Sequence, residues 1–175
     1  MTRPLPRLPA DDDGEAFAGW YRREFPDLLL FACRLGARWQ EAFDLAQEAC
    51  AKAYPRWSEI GNPGAYIRVS IRNGYYRRTS HDHEVVLSPD LAEPGNGTDA
   101  ALLEVEFHDQ ERRIFAAVRG LPPVQREVIA WTIDGYTPTE IAELLDKNPT
   151  AVRGNLHKAR ASLRKSLAGL GGDSV

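Results

Sequence analysis

The sequence predicts an all-α fold of two small helical domains, an N-terminal helical bundle and a C-terminal helix-turn-helix domain, joined by an acidic flexible linker. Three observations predict it. Apolar residues recur at helical spacing in one segment after another, and no stretch alternates convincingly as a strand would. Asn62-Pro63 and Asn148-Pro149 read as helix starts, while Gly36, Gly120 and Gly135 read as helix stops. Charge falls in blocks: four Arg and no acid from Gly61 to Ser80, nine acids and no Lys or Arg from Thr79 to Glu111, six Lys/Arg and no acid from Lys147 to Gly172. The net charge of −3 therefore conceals two basic surfaces flanking an acidic segment.

At 175 residues, 43% hydrophobic and 27% charged, the chain has the composition of a soluble globular protein of one or two domains. It shows no apolar run of membrane-spanning length and no apolar signal segment at its start, so a cytoplasmic location and no membrane partner are expected. Cys33 and Cys50 lie in apolar helical contexts without metal spacing and read as buried free thiols. His81 and His83 read as part of a solvated segment. No metal and no cofactor are expected.

Residues 1–13, with Pro4, Pro6, Pro9 and Asp11 to Asp13, read as a flexible tail. The N-terminal domain, 14–78, begins with helices over about 14–24 and 27–35, whose Phe17, Tyr21, Leu28, Leu29 and Phe31 supply core before Gly36 stops the chain. The next helix, about 40–54, buries Ala42, Leu45, Ala46, Ala49 and Ala53, and Pro55 ends or kinks it. Its opposite face carries Glu41, Asp44, Gln47 and Glu48 around the small Ala51. That face is unsuited to DNA and suits a basic protein surface. After the loop Ser58 to Gly61, Asn62 caps a helix reaching about Arg78, with Ile67, Ile71 and Tyr75 inward and Arg68, Arg72, Arg77 and Arg78 outward. Trp57, Tyr66, Tyr75 and Tyr76 around these arginines offer rings for splayed bases beside guanidinium groups for the backbone. An aromatic core with peripheral arginines accounts for the same tyrosines taken singly.

The linker, 79–98, is rich in Asp, Glu, Pro and Gly; fully extended it spans roughly 65–70 Å, about two turns of DNA at roughly 34 Å each. The C-terminal domain, 99–170, opens on a helix lined by Leu103, Phe107, Ile114 and Val118. Pro122-Pro123 restarts the chain, and Val128, Ile129 and Trp131 pack in the next helix. Thr137-Pro138-Thr139-Glu140 is a capping box, followed by a short helix with Ile141, Ala142, Leu144 and Leu145 inward. The turn Asp146-Lys147-Asn148 leads into a helix with Val152, Leu156, Ala159 and Leu163 on one stripe. Arg153, His157, Lys158, Arg160, Arg164 and Lys165 lie opposite, and Gly154 allows close approach to a surface. Two capped helices, a three-residue turn and a basic second helix make a DNA-reading helix-turn-helix. A structural helical hairpin with a solvated basic face is the plainer alternative.

FDLAQEACAKAY (43–54), NPGAYIRVSIRNGYYRR (62–78) and LPPVQREVIAWTIDGYTPTEIAELLDKNPTAVRGNLHKARASLRKSL (121–167) together resemble a bacterial RNA polymerase sigma factor of the extracytoplasmic-function subfamily, in family order across nearly the whole chain. The resemblance implies a non-enzymatic initiation factor whose partners are core RNA polymerase, through its clamp and flap regions, and promoter DNA, with an anti-sigma factor as a further partner. It places clamp binding on Asp44, Gln47 and Glu48. It places minus-ten recognition and melting on Ser58, Glu59, Gly61, Asn62, Arg68, Arg72, Asn73 and Arg77. It places minus-thirty-five recognition on Thr150, Arg153, Gly154, His157, Lys158, Arg160 and Arg164. The acidic linker resembles the segment that threads the polymerase channels. Asp146 stands where the family usually has a turn glycine, and Gly154 where a serine is usual. Two other readings use the same residues: a stand-alone helix-turn-helix regulator binding operator DNA without polymerase, and a nuclease built on Asp44 and Glu48, for which no second carboxylate or His cluster completes a metal site.

Overall fold

Helix α1 (Asp11–Leu35) opens on three aspartates, which favour the positive end of the helix dipole. In the computed structural model, residues 11–85 and 109–169 are described, and every regular element among them is helical. Two separate helices were expected over 14–35; α1 is instead continuous through Pro26. Proline removes one hydrogen bond to the carbonyl four residues earlier. Here both Pro26 and Arg22 are exposed, where water can replace that bond, while the next turns bury Leu28, Phe31, Ala32 and Leu35. The apolar face carries the helix on past its own breaker. Asp11 to Asp13, expected within the tail, instead form the first turn of α1.

At Gly36, with φ +121°, the Gly36 N–H donates to Cys33 O at 3.0 Å and the Ala37 N–H to Ala32 O at 3.2 Å, closing α1 with a left-handed cap. Helix α2 (Trp39–Ala53) buries Ala42, Leu45, Ala46, Ala49 and Ala53, the expected stripe, together with Cys50. Pro55 does not simply stop the chain: a 3₁₀ turn over Tyr54–Glu59 follows directly. Helix α3 (Pro63–Val85) is capped by Asn62, whose Oδ1 accepts from the Ala65 N–H at 3.1 Å. It continues past Arg78 into the segment expected as linker. Gly74 lets α3 lie close on α2, because a Cβ there would stand 2.9 Å from Leu45 Cδ2. That close approach explains a glycine inside a helix, a position that costs up to about 1 kcal/mol against alanine.

The second group comprises α4 (Asp109–Arg119), α5 (Pro123–Ile133), α6 (Pro138–Leu144) and α7 (Pro149–Gly169). Leu103 and Phe107 lie outside the described residues, as do residues 1–10 and the expected linker from residue 86 onward. Ile114 departs from the expected core and is 42% exposed, whereas Val118 is buried. The capping box at Thr137 forms as expected, with the Glu140 N–H donating to Thr137 Oγ1 and the Thr137 N–H to Glu140 Oε2 at 2.8 Å. Asn148 Oδ1 accepts from the Thr150 N–H at 2.8 Å and starts α7.

One hydrophobic core runs through both domains. Its centre is Trp131 of α5, fully buried, which meets Phe31 of α1 edge-on at 5.0 Å and Tyr136 at 4.9 Å. The sequence shows two domains; the fold packs them against each other, with α1 forming the wall they share.

Candidate nucleic-acid interface

The helix-turn-helix owes its angle to one strained residue. Asp146 adopts φ +49°, while the Lys147 N–H donates to Ala142 O at 2.8 Å and the Asp146 N–H to Glu143 O at 3.4 Å. This is the same left-handed cap that glycine makes at residues 36 and 135, here taken by one of the few side chains that tolerate it. Beyond the turn, Val152, Leu156 and Ala159 of α7 are buried against the domain. Thr150, Arg153, Gly154, His157, Lys158, Arg160 and Arg164 are all exposed, and nothing lies within 4 Å of a Cβ built on Gly154. A basic, unobstructed helical face of this kind matches the dimensions of a major groove.

In the N-terminal domain, Asp44, Gln47 and Glu48 are exposed along α2 with Ala51. Glu48 is tied locally: it accepts from Lys52 Nζ at 2.6 Å and from Arg78 Nη2 at 3.0 Å, which joins α2 to α3. The hydrogen bond from Lys52, with the charges of Lys52 and Arg78, holds its carboxyl below the usual range. Beside this face a groove of about 500 Å³ is lined by Phe17, Tyr21, Gln47, Ala51 and Tyr54 among others. The contribution of α1 to this surface was missed in the sequence. Phe17 and Tyr21, one turn apart, were its only signal.

The third candidate surface departs most from expectation. Ser58, Glu59, Gly61, Asn62, Asn73 and Arg77 are exposed, with Glu59 paired to Arg56 at 3.1 Å. Arg68, however, is only 6% exposed and does not point outward. Its Nε donates to Asp134 Oδ2 at 2.5 Å, and Asp134 Oδ1 accepts from Arg34 Nη1 at 2.6 Å. Arg72 Nε donates to Glu127 Oε1 at 2.5 Å, and Lys147 donates to the other oxygen of the same carboxylate. The helical spacing was read correctly, but the acids that cover this stripe come from α5, more than fifty residues away in the chain.

The aromatic residues also sort differently. Tyr76 lies under Arg72, with the guanidinium carbon 4.8 Å from the ring centre. Burial, reinforced by the Glu127 charge, pushes its phenol up to about 12. Tyr75 is buried in the core. Trp57 packs instead against Phe17 at 5.0 Å and Trp20 at 5.2 Å, in a cluster with α1. Cys33 and Cys50 are both buried, as expected. Among the described residues no group of three or more His, Cys, Asp or Glu is arranged to hold a metal ion, and no helix is long and apolar enough to cross a membrane.

Comparison with known proteins fits this layout. Residues 20–82 match the family described as Sigma-70 region 2, and residues 111–163 match Sigma-70, region 4. The chain is 26% identical over 136 residues to the probable RNA polymerase sigma factor RfaY of Xanthomonas campestris pv. campestris. That match covers 71% of this chain and 33% of the relative, so the chain spans about a third of its length. Among solved structures, the fold is similar to the sigma factor RpoE in complex with the anti-sigma factor NepR from Bartonella quintana. The TM-score is 0.66 at 20% identity, over 91% of this chain and 99% of that one. It is also similar to CnrH in complex with the cytosolic domain of CnrY, with TM-score 0.58, 24% identity, and 92% and 91% coverage. Neither matched family is catalytic. With both conserved regions present in order and folded as two helical domains, the chain belongs to the sigma-70 family of RNA polymerase sigma factors, in its extracytoplasmic-function form.

Proposed function

We propose that the protein binds core RNA polymerase in the cytoplasm, directs it to specific promoters and helps to melt the minus-ten element. The observation that carries this reading is the pairing, on one chain, of an exposed acid-and-amide face on α2 with an exposed basic face on α7. The α2 face, through Asp44, Gln47 and Glu48, meets the clamp of the largest polymerase subunit, and the adjoining groove takes its apolar side chains. Ser58, Glu59, Gly61, Asn62, Arg68, Arg72, Asn73 and Arg77 receive the melted strand. On α7, Thr150, Arg153, Gly154, His157, Lys158, Arg160 and Arg164 read the minus-thirty-five duplex. The flap region of the polymerase supports the C-terminal domain. An anti-sigma factor is the proposed regulator, in line with the complex in which the Bartonella relative was solved.

Titration of the purified, fluorescently labelled chain with core polymerase tests the first step. Saturable binding with one chain per core, reversed by excess of another sigma factor, is expected. If the chain ignored core polymerase yet bound duplex DNA tightly alone, a stand-alone regulator would be the better description.

A further inference from the structure

We propose that Asp134 latches the two domains together, withholding Arg68 and Arg72 from a melted strand while leaving α7 open to duplex DNA. The inference rests on the reading of those arginines as strand contacts. It adds that the free chain holds them in a closed state.

The placement of Asp134 carries the argument. It caps the C-terminal end of α5, where the helix dipole disfavours a carboxylate. The Asp134 side chain is 5% exposed, and its two cations, Arg34 and Arg68, both come from the N-terminal domain. The position makes electrostatic sense only with that domain in place. Glu127 repeats the arrangement two turns earlier, taking Arg72 from α3 while also holding Lys147 of the helix-turn-helix turn. A guanidinium makes the same charge-assisted bonds to carboxylate and to phosphate. A nucleic-acid backbone and these two acids therefore compete for the same donors.

The closure is selective: the arginines of α3 are covered while Arg153, His157, Lys158, Arg160 and Arg164 stay exposed. In the closed chain strand capture is blocked and duplex reading is not.

The test compares the full chain with Asp134→Ala by small-angle scattering, together with binding of a dye-labelled single-stranded oligonucleotide of mixed sequence and of a duplex. The variant should show a larger radius of gyration. Its single-strand affinity should rise about tenfold, because affinity scales with the fraction of binding-competent molecules, while duplex affinity should change less than about twofold on the same grounds. Adding Arg68→Ala and Arg72→Ala should abolish the gain. If Asp134→Ala does not give the wild-type helical circular dichroism, Arg34→Ala removes the other arm of the latch and should shift both readouts in the same direction. Unchanged scattering and unchanged strand affinity in a folded variant would overturn the latch. Expansion without any gain in strand binding would overturn the blocking role, and with it the assignment of Arg68 and Arg72 to the strand, while leaving the latch itself standing.

Discussion

Arg68 of α3 donates through Nε to Asp134 Oδ2 at 2.5 Å, so a side chain at the centre of the expected DNA face is bonded to the other domain. This ion pair lies against Phe31, with the Arg68 guanidinium carbon 5.9 Å from the ring centre, at the edge of the core the domains share. Packing of the two domains and burial of Arg68 are thereby linked.

Gly36 sits at the same joint. A Cβ there would meet Tyr75 Oη at 2.5 Å and Arg126 Cζ at 3.2 Å, at a backbone φ of +121° that side chains rarely adopt. Gly36→Ala should therefore destabilise the protein by about 1–3 kcal/mol, seen as a lower urea midpoint. An unchanged midpoint would mean that the cap relaxes freely.

Much of this fold was legible in the sequence because its punctuation is local. The capping box at Thr137, the caps Asn62 and Asn148, and the stripe Val152, Leu156 and Ala159 each depend on residues within a few positions of one another. What escaped was set by distant partners. Arg68 and Arg72 looked solvent-facing because nothing near them in the chain announces Glu127 or Asp134. Ile114 looked like core because its spacing is helical, yet its place on α4 leaves it 42% exposed. Two helices were expected over 14–24 and 27–35; α1 runs through the gap and through Pro26 because burial of its next turns outweighs the bond that proline removes.

Reversing charge on the α2 face tests the polymerase contact. Asp44→Arg with Glu48→Arg should weaken core binding about tenfold or more, since like charges would then face a basic surface. Part of that change also removes the bonds of Glu48 to Lys52 and Arg78. Arg78→Ala, which cuts one of those bonds without altering the face, should bind core as wild type. Equal binding by the double variant would move the interface elsewhere.

The recognition helix should divide its labour. Arg153→Ala, near the start of α7, should cost roughly 1–3 kcal/mol and relax preference at one or two base pairs. Arg164→Ala, farther along, should weaken all sequences alike and lower the salt slope by roughly one phosphate's worth. The check is holoenzyme affinity across single-base promoter variants at several salt concentrations. A uniform loss from Arg153→Ala, with base ranking intact, would remove direct readout from that residue.

Burial pushes the Cys50 thiol from its ordinary 9.0 up to about 12. The folded protein keeps this proton longer than the unfolded chain, so raising pH above about 9 ionises the unfolded state first and withdraws stability up to about 12. The loss for one such group approaches about 1.4 kcal/mol per pH unit. Denaturant midpoints measured across this range should fall less steeply in Cys50→Ala. Tyr76, also raised to about 12, should leave a remaining slope above pH 10, its ordinary value. An identical alkaline limb in the variant would show that Cys50 is accessible to water in the native state.

The most direct measurement is transcription by core polymerase on fragmented genomic DNA from the source organism, with and without this protein, followed by sequencing of transcript 5′ ends. Promoter direction by this protein predicts starts that appear only when both are present and that share two upstream sequence blocks. The upstream block should degenerate with Arg153→Ala, and the downstream one should lose opening with Arg68→Ala and Arg72→Ala combined. Starts no different from those of core polymerase alone, by protein shown to be folded, would contradict it.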